Sequence, residues 1–230
     1  MRGVFLPINF LDNIKKAYGD ILILRGYELL PARIATDFDI YINRNNISLF
    51  LKVISELDYE EVKISLVTER VGLLKTLVTV DGQSLEFDIH YSFCYLGLAY
   101  LDETELVLNA RPHQSGLFNV PSSAHEVELF LIKELIHNSF VRESKIPYVT
   151  AFALDFEPLS HVLRKCDLED ISRAVEHGLP VKSQILRYKM VTRLICSSLK
   201  RVGIFEVVNL VIMFFKVKYL GKSRFLDVST

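Results

Sequence analysis

The sequence predicts an α/β (α+β) fold: a small mixed β-sheet with flanking helices over residues 1–120, followed by a helical region over 121–230. Three patterns carry this. Residues alternate with period two from Asp37 to Ile42, Val62 to Leu66, Leu73 to Val80 and Ser84 to Tyr91, as in half-buried strands. Asp81-Gly82 separates the last two runs, and that dipeptide suits a two-residue hairpin turn. From Ser123 onward the apolar spacing changes to three and four, the period of a helix.

Taken in order, Phe10, Leu11, Ile14 and Tyr18 share one helix face, and Gly19 is a plausible stop. Ile21 to Leu24 reads as a buried strand that ends at Gly26, a residue that lets backbone approach a ligand closely. Tyr27 to Ala35, with Pro31, reads as a short helix or turn before the Asp37 strand. Asn43 to Asn46 is a turn or helix cap, and Ile47, Phe50, Leu51, Ile54 and Leu57 mark the next helix face. The strand after Asp81-Gly82 pairs with Leu73 to Val80, and its other neighbour could be the Asp37 strand. Tyr91 to Pro121 reads as a loop with a short helix, and Arg111 as a surface arginine.

In the second half, Ser123-x-x-Glu126 forms a capping box before a helix whose face is Val127, Phe130, Leu131, Leu135 and Phe140. Pro147 and Pro158 bracket a connection. Asp167 to His177 is a helix stopped at Gly178-Leu179-Pro180, and Ser183 to Leu199 is an amphipathic helix with Ile185, Leu186, Met190, Leu194 and Ile195 apolar. Ile204 to Phe215 is the most apolar stretch and falls short of the roughly 20 residues a spanning helix needs. Cations flank it: Lys200 and Arg201 before, Lys216, Lys218, Lys222 and Arg224 after. It reads as a helix closing the core, with peripheral membrane contact through 200–224 as the alternative.

Bulk composition narrows the class. Half of the 230 residues are apolar, so a substantial core is available. The net charge of −1 and the lack of a Lys/Arg stripe with interleaved aromatics argue against a nucleic-acid partner. Three scattered cysteines with no Cys-x-x-Cys indicate neither a disulfide framework nor a zinc knuckle, and fit a reducing cytoplasm. The apolar patch before Pro7 is too short for a signal-peptide core.

The chemistry concentrates in two strands. Asp37 and Asp39 share one face of the first, with Phe38 and Ile40 on the other. Glu86, Asp88 and His90 share one face of the second, with Leu85, Phe87 and Ile89 opposite. If the strands are neighbours, Asp88 joins Asp37 and Asp39 in a three-carboxylate cluster, a ligand set that suits magnesium bridged to phosphate. Lys133 and His137 stand one helical turn apart, where they could offer cations to a triphosphate; a solvated helix side is the alternative.

Leu24-Arg25-Gly26, Asp37-Phe38-Asp39-Ile40 and Asp88-Ile89-His90 resemble the motifs of the nucleotidyltransferase superfamily that includes DNA polymerase beta. They are most similar to a bacterial group encoded beside surface-polysaccharide genes. The resemblance covers roughly the first half of the chain, and Tyr27 departs from it, standing where the wider family has Gly or Ser. It implies catalytic and metal roles for Asp37, Asp39 and Asp88, with two magnesium ions, and nucleotide contacts at Arg25, Gly26, Tyr27 and His90. The implied reaction moves a nucleoside monophosphate from a nucleoside triphosphate to an acceptor that is a small molecule or a protein. The helical half would form the other wall of a cleft. Two alternatives stay open: a non-catalytic nucleotide-binding or regulatory module, and a protein-modifying enzyme of antitoxin type.

Overall fold

A computed structural model describes residues 6–25, 27, 37–138, 140–141, 158–179, 181 and 183–220. It confirms a mixed α/β architecture, built on a seven-stranded sheet. The strands are β1 (Leu22–Arg25), β2 (Asp37–Tyr41), β3 (Val62–Arg70), β4 (Leu73–Val80) and β5 (Gln83–His90), the small pair β6 (Cys94–Tyr95) and β7 (Leu98–Ala99), then β8 (Arg111–Pro112) and β9 (Asn119–Val120). The sheet order is β3-β4-β5-β2-β1-β9-β8, and β6 and β7 pair separately.

Two helices cover the apolar face of the sheet: α1 (Leu6–Tyr18) and α2 (Ile47–Ser55). Phe10, Ile14 and Phe50 are fully buried in one cluster with Phe38, Ile40, Phe87 and Ile89, the apolar positions of the two strands singled out above. Burying a side chain of this size contributes about 1.5–3 kcal/mol, so the pattern that sets the core also fixes which face stays polar. Asp81 and Gly82 both take positive φ, 47° and 78°, as a type I′ hairpin turn requires. In β3 the alternation breaks at Val67, which is half exposed beside a register shift between Leu66 and Thr68. The strand continues past this bulge to Arg70, beyond the run legible as period two.

Contacts divide the chain into two units: Met1–Ser92 with Ala110–Val120 and the chain from Met213, and Phe93–Asn109 with Pro121–Ile212. The segment 93–109 thus joins the helices and 110–120 joins the sheet. The second unit contains α3 (Glu103–Leu108), α4 (Ser123–Ile132), α5 (Lys165–Glu176) and α6 (Ser183–Val202). A final helix, α7, spans Ile204–Leu220.

Several expectations are corrected. The region from Tyr91 to Pro121 holds the expected short helix, α3, but also the strands β6 to β9, each two residues long and too short to show a period. The cap of α4 is Ser122, whose Oγ accepts from the His125 amide (3.3 Å), so the proposed box from Ser123 is one residue late. Phe140 lies outside the helix and is exposed. Helix α7 does not close the core along its length: Val207 is buried, whereas Ile204, Phe205, Val208, Ile212 and Phe215 are exposed. No described helix is long and apolar enough to cross a membrane. Gly26, the segment 28–36, Pro147, Pro180 and the tail beyond 220 lie outside the described residues.

Candidate functional site

Alternation leaves Asp37, Asp39 and Tyr41 on the polar side of β2 and Glu86, Asp88 and His90 on that of β5. The two strands are neighbours and run parallel, pairing Asp37 with Glu86, Asp39 with Asp88 and Tyr41 with His90. On the far side of β5, the hairpin register places Lys75 of β4 opposite Asp88. On the near side of β2, the ladder with β1 steps between Ile23 and Arg25. Ile23 pairs with Ile40, Leu24 is passed over, and Arg25 faces Asp39. An unbroken ladder would have set Leu24 against that carboxylate; the irregularity re-aims a cation onto it. One row therefore crosses four strands as Arg25, Asp39, Asp88 and Lys75.

The charges in this row are coupled. The Arg25 guanidinium donates to Asp39 Oδ2, and His90 Nε2 lies 3.0 Å from Asp39 Oδ1. Asp39 is 7% exposed, so both its oxygens need such partners. The Lys75 ammonium pairs with Glu86 and stands 3.5 Å from Asp88 Oδ1, an ion-pair distance too long for a good hydrogen bond. The hydrogen bond to Glu86 holds Lys75 above the usual lysine range; burial opposes this and Asp88 assists it. Asp88 Oδ1 is itself buried and makes no hydrogen bond among the described residues. Asp37, the first residue of β2, is exposed.

Among the described residues, no three His, Cys, Asp or Glu side chains converge as an ion cage. The expected three-carboxylate cluster is thus a shared face, with Asp39 and Asp88 in register and Arg25 and Lys75 neutralising them from either side. The donor set still fits a divalent cation. Asp37, Asp39, Glu86 and Asp88 outnumber Arg25 and Lys75 by two charges, and Asp88 Oδ1 is a buried oxygen with no hydrogen bond among the described residues, only the ion pair with Lys75. Oxygen-only donors of this kind are magnesium ligands.

Of the other expected nucleotide contacts, Gly26 lies outside the described residues. Tyr27 is 7% exposed and sits in the core, its ring 5.7 Å from that of His113 and 6.3 Å from that of Phe118. It packs there, and a Gly or Ser in its place would leave the space of a phenol ring unfilled. Lys133 and His137 belong to the second unit. Their turn, Lys133–Asn138, is a π-helix, a form often found at functional sites. Lys133 is half-buried there, and His137 is exposed with its ring edge-on to Tyr95 (5.4 Å).

Sequence reasoning assigned no role to Lys75 or to Glu86. Its signal was available: a two-residue turn at Asp81-Gly82 pairs Val80 with Gln83, and counting outward puts Lys75 opposite Asp88.

Comparison with known proteins adds little to this geometry. No protein-family model and no curated protein matches the chain. Among solved structures, the chain is similar to JHP933 from Helicobacter pylori at 12% identity over 94% of each chain, with a TM-score of 0.41. It is also similar to a provisionally assigned nucleotidyltransferase from H. pylori at 12% identity, over 94% of this chain and 98% of that one, again with a TM-score of 0.41.

Proposed function

We propose that the chain is a magnesium-dependent nucleotidyltransferase that moves a nucleoside monophosphate from a nucleoside triphosphate to an acceptor hydroxyl or phosphate. The observation that carries this reading is the register of Asp39 with Asp88 on the polar side of two parallel strands, with Asp37 one step along the same face. Asp37, Asp39 and Asp88 would hold the metal. When bound, magnesium supplies positive charge against the triphosphate oxygens. Together with Asp37 and Glu86, the carboxylates of this face exceed Arg25 and Lys75 by two charges, the charge of one such ion.

The remaining work falls to side chains of the row. The acceptor oxygen attacks the α-phosphorus, and the bond from that phosphorus to the bridging oxygen breaks. Pyrophosphate leaves with the bonding pair. Asp88, whose Oδ1 is ion-paired to Lys75 and not hydrogen-bonded among the described residues, would take the acceptor's proton. His90 holds the Asp39 carboxylate in its orientation from Oδ1. Arg25, on the other oxygen, has planar donors that would suit a phosphate bound at this face.

A second reading is favoured by one observation: Asp39 is already engaged by both Arg25 and His90. A module that kept this sheet as a binding or regulatory surface would hold its carboxylate in that way permanently. Calorimetry separates the two. Titration of a nucleoside triphosphate should give heat only with magnesium present, and Asp39→Asn should remove that dependence. Binding that is indifferent to magnesium, or no binding at all, supports the non-catalytic reading.

A further inference from the structure

The polar side of β2 and β5 carries its four carboxylates as two pairs. Asp37 and Asp39 stand two residues apart on one strand, Glu86 and Asp88 on the other, and the register sets Asp37 beside Glu86 and Asp39 beside Asp88. Four acids in this arrangement could serve two divalent ions, the number that many phosphoryl-transfer sites use. The two strands are not served alike. Along the outer side of β5 one ammonium meets both acids: Lys75 pairs with Glu86 and stands 3.5 Å from Asp88 Oδ1. On β2, Arg25 reaches Asp39 alone, and Asp37 has no ion pair among the described residues.

The backbone fixes Lys75 in that place. The ladder between β4 and β5 runs from Leu73 opposite His90 to Val80 opposite Gln83 with no register shift, so the lysine stays across from Asp88. Less than a third of the Lys75, Glu86 and Asp88 side chains is exposed, and partial burial strengthens the attraction among them. An ammonium is a compact charge with three donors, able to meet two carboxylates at once. A magnesium ion in the same position would have to displace it and shed water, which magnesium does reluctantly. Charge agrees with geometry. Four carboxylates against Arg25 and Lys75 leave two negative charges, which one divalent ion cancels.

We propose that Lys75 takes the place of a second metal ion. Its ammonium serves Glu86 and Asp88, and the site binds one divalent cation per chain, among Asp37, Asp39 and Asp88. The inference rests on the metal-dependent reading above and gives it a stoichiometry.

The test counts manganese, which takes the same oxygen ligands as magnesium and is paramagnetic. The full chain is titrated with Mn2+ and the free ion is read by electron paramagnetic resonance, so no turnover is needed. The wild type should bind one ion per chain. Lys75→Arg, which keeps the charge, should also bind one. Lys75→Met should bind two, because Glu86 and Asp88 are then left to take up an ion. Lys75→Gln repeats the measurement with a polar side chain should the first variant fold poorly. Adding Glu86→Gln to either neutral variant should return the count to one, a reversal that a merely structural role for Lys75 would not produce. Two ions in the wild type, or one in the wild type and the folded neutral variants alike, would overturn the proposal and leave a metal site standing. No ion in any form would sink the metal-dependent reading itself, and the inference with it. One ion in the neutral variants and none in the wild type would overturn both, since Lys75 would then replace the only ion.

Discussion

Arg25 meets Asp39 because Leu24 is passed over in the ladder between β1 and β2. A one-residue irregularity thus decides whether the most buried carboxylate of the row faces a cation or a leucine. Arg25→Ala should leave Asp39 with His90 alone. The guanidinium is about one-third exposed, so the loss of stability should be only about 1 kcal/mol. Triphosphate binding should fall about tenfold if the arginine is also a phosphate contact. A urea melt and a binding isotherm on the same sample separate the two effects.

Asp39→Asn should destabilise the protein, by about 1–2 kcal/mol, because it leaves Arg25 and His90 beside a neutral group. A carboxylate repelled only by like charges would behave oppositely, and its removal would raise the melting temperature. Thermal melts without metal give the sign directly.

Lys75→Met removes one of the two cations that hold the carboxylates in check. Without metal the variant should be less stable than the wild type. With metal it should gain more, since a ligand that binds only the native state stabilises in proportion to its affinity. Melting temperatures across a magnesium series should therefore rise more steeply for Lys75→Met. Parallel curves would place Lys75 outside the metal's reach.

The sequence made the apolar sides of β2 and β5 legible because strict alternation survives there without a bulge. Asp81-Gly82 was legible for a similar reason: few dipeptides accept two positive φ values in succession. The pairing of Arg25 with Asp39 was not, because a bulge adds a residue without changing composition. Strands β6 to β9 were hidden by their length, two residues each. The packing of Tyr27 against Phe118 was not legible, because it depends on a strand-rich region that no local pattern announces. Helix α6 reads as amphipathic from its spacing, but Ile185 and Ile195 fall on its exposed side and Met190 and Leu194 on the buried one. Apolar counting alone cannot separate two stripes on one helix.

Glu128 gives the second unit a pH signature. It is fully buried, and its carboxylate accepts from the amides of Leu159 and Ser160, 2.9 Å each. Burial raises its pKa to about 7, against the pull of those two amides. The native state then holds a proton that the unfolded chain has released between about 4.5 and 7. Stability should decline as pH rises through that window and level off above it. Glu128→Gln should flatten this slope, although it also replaces one of the two acceptors by an amide donor. Urea melts at closely spaced pH values measure it, and a wild-type curve that rises over the same interval would contradict the assignment.

Asp39 and Asp88, in register on β2 and β5, are proposed to serve one phosphoryl-transfer site. The measurement that tests it most directly is pyrophosphate release from each of the four common ribonucleoside triphosphates with magnesium present, supplied with a cell extract as the source of acceptor. The expected result is release with at least one triphosphate, dependent on magnesium, and lost to background in both Asp39→Asn and Asp88→Asn while the two variants remain folded. Release by the wild type that persists unchanged in Asp88→Asn, or no release with any triphosphate, would contradict it.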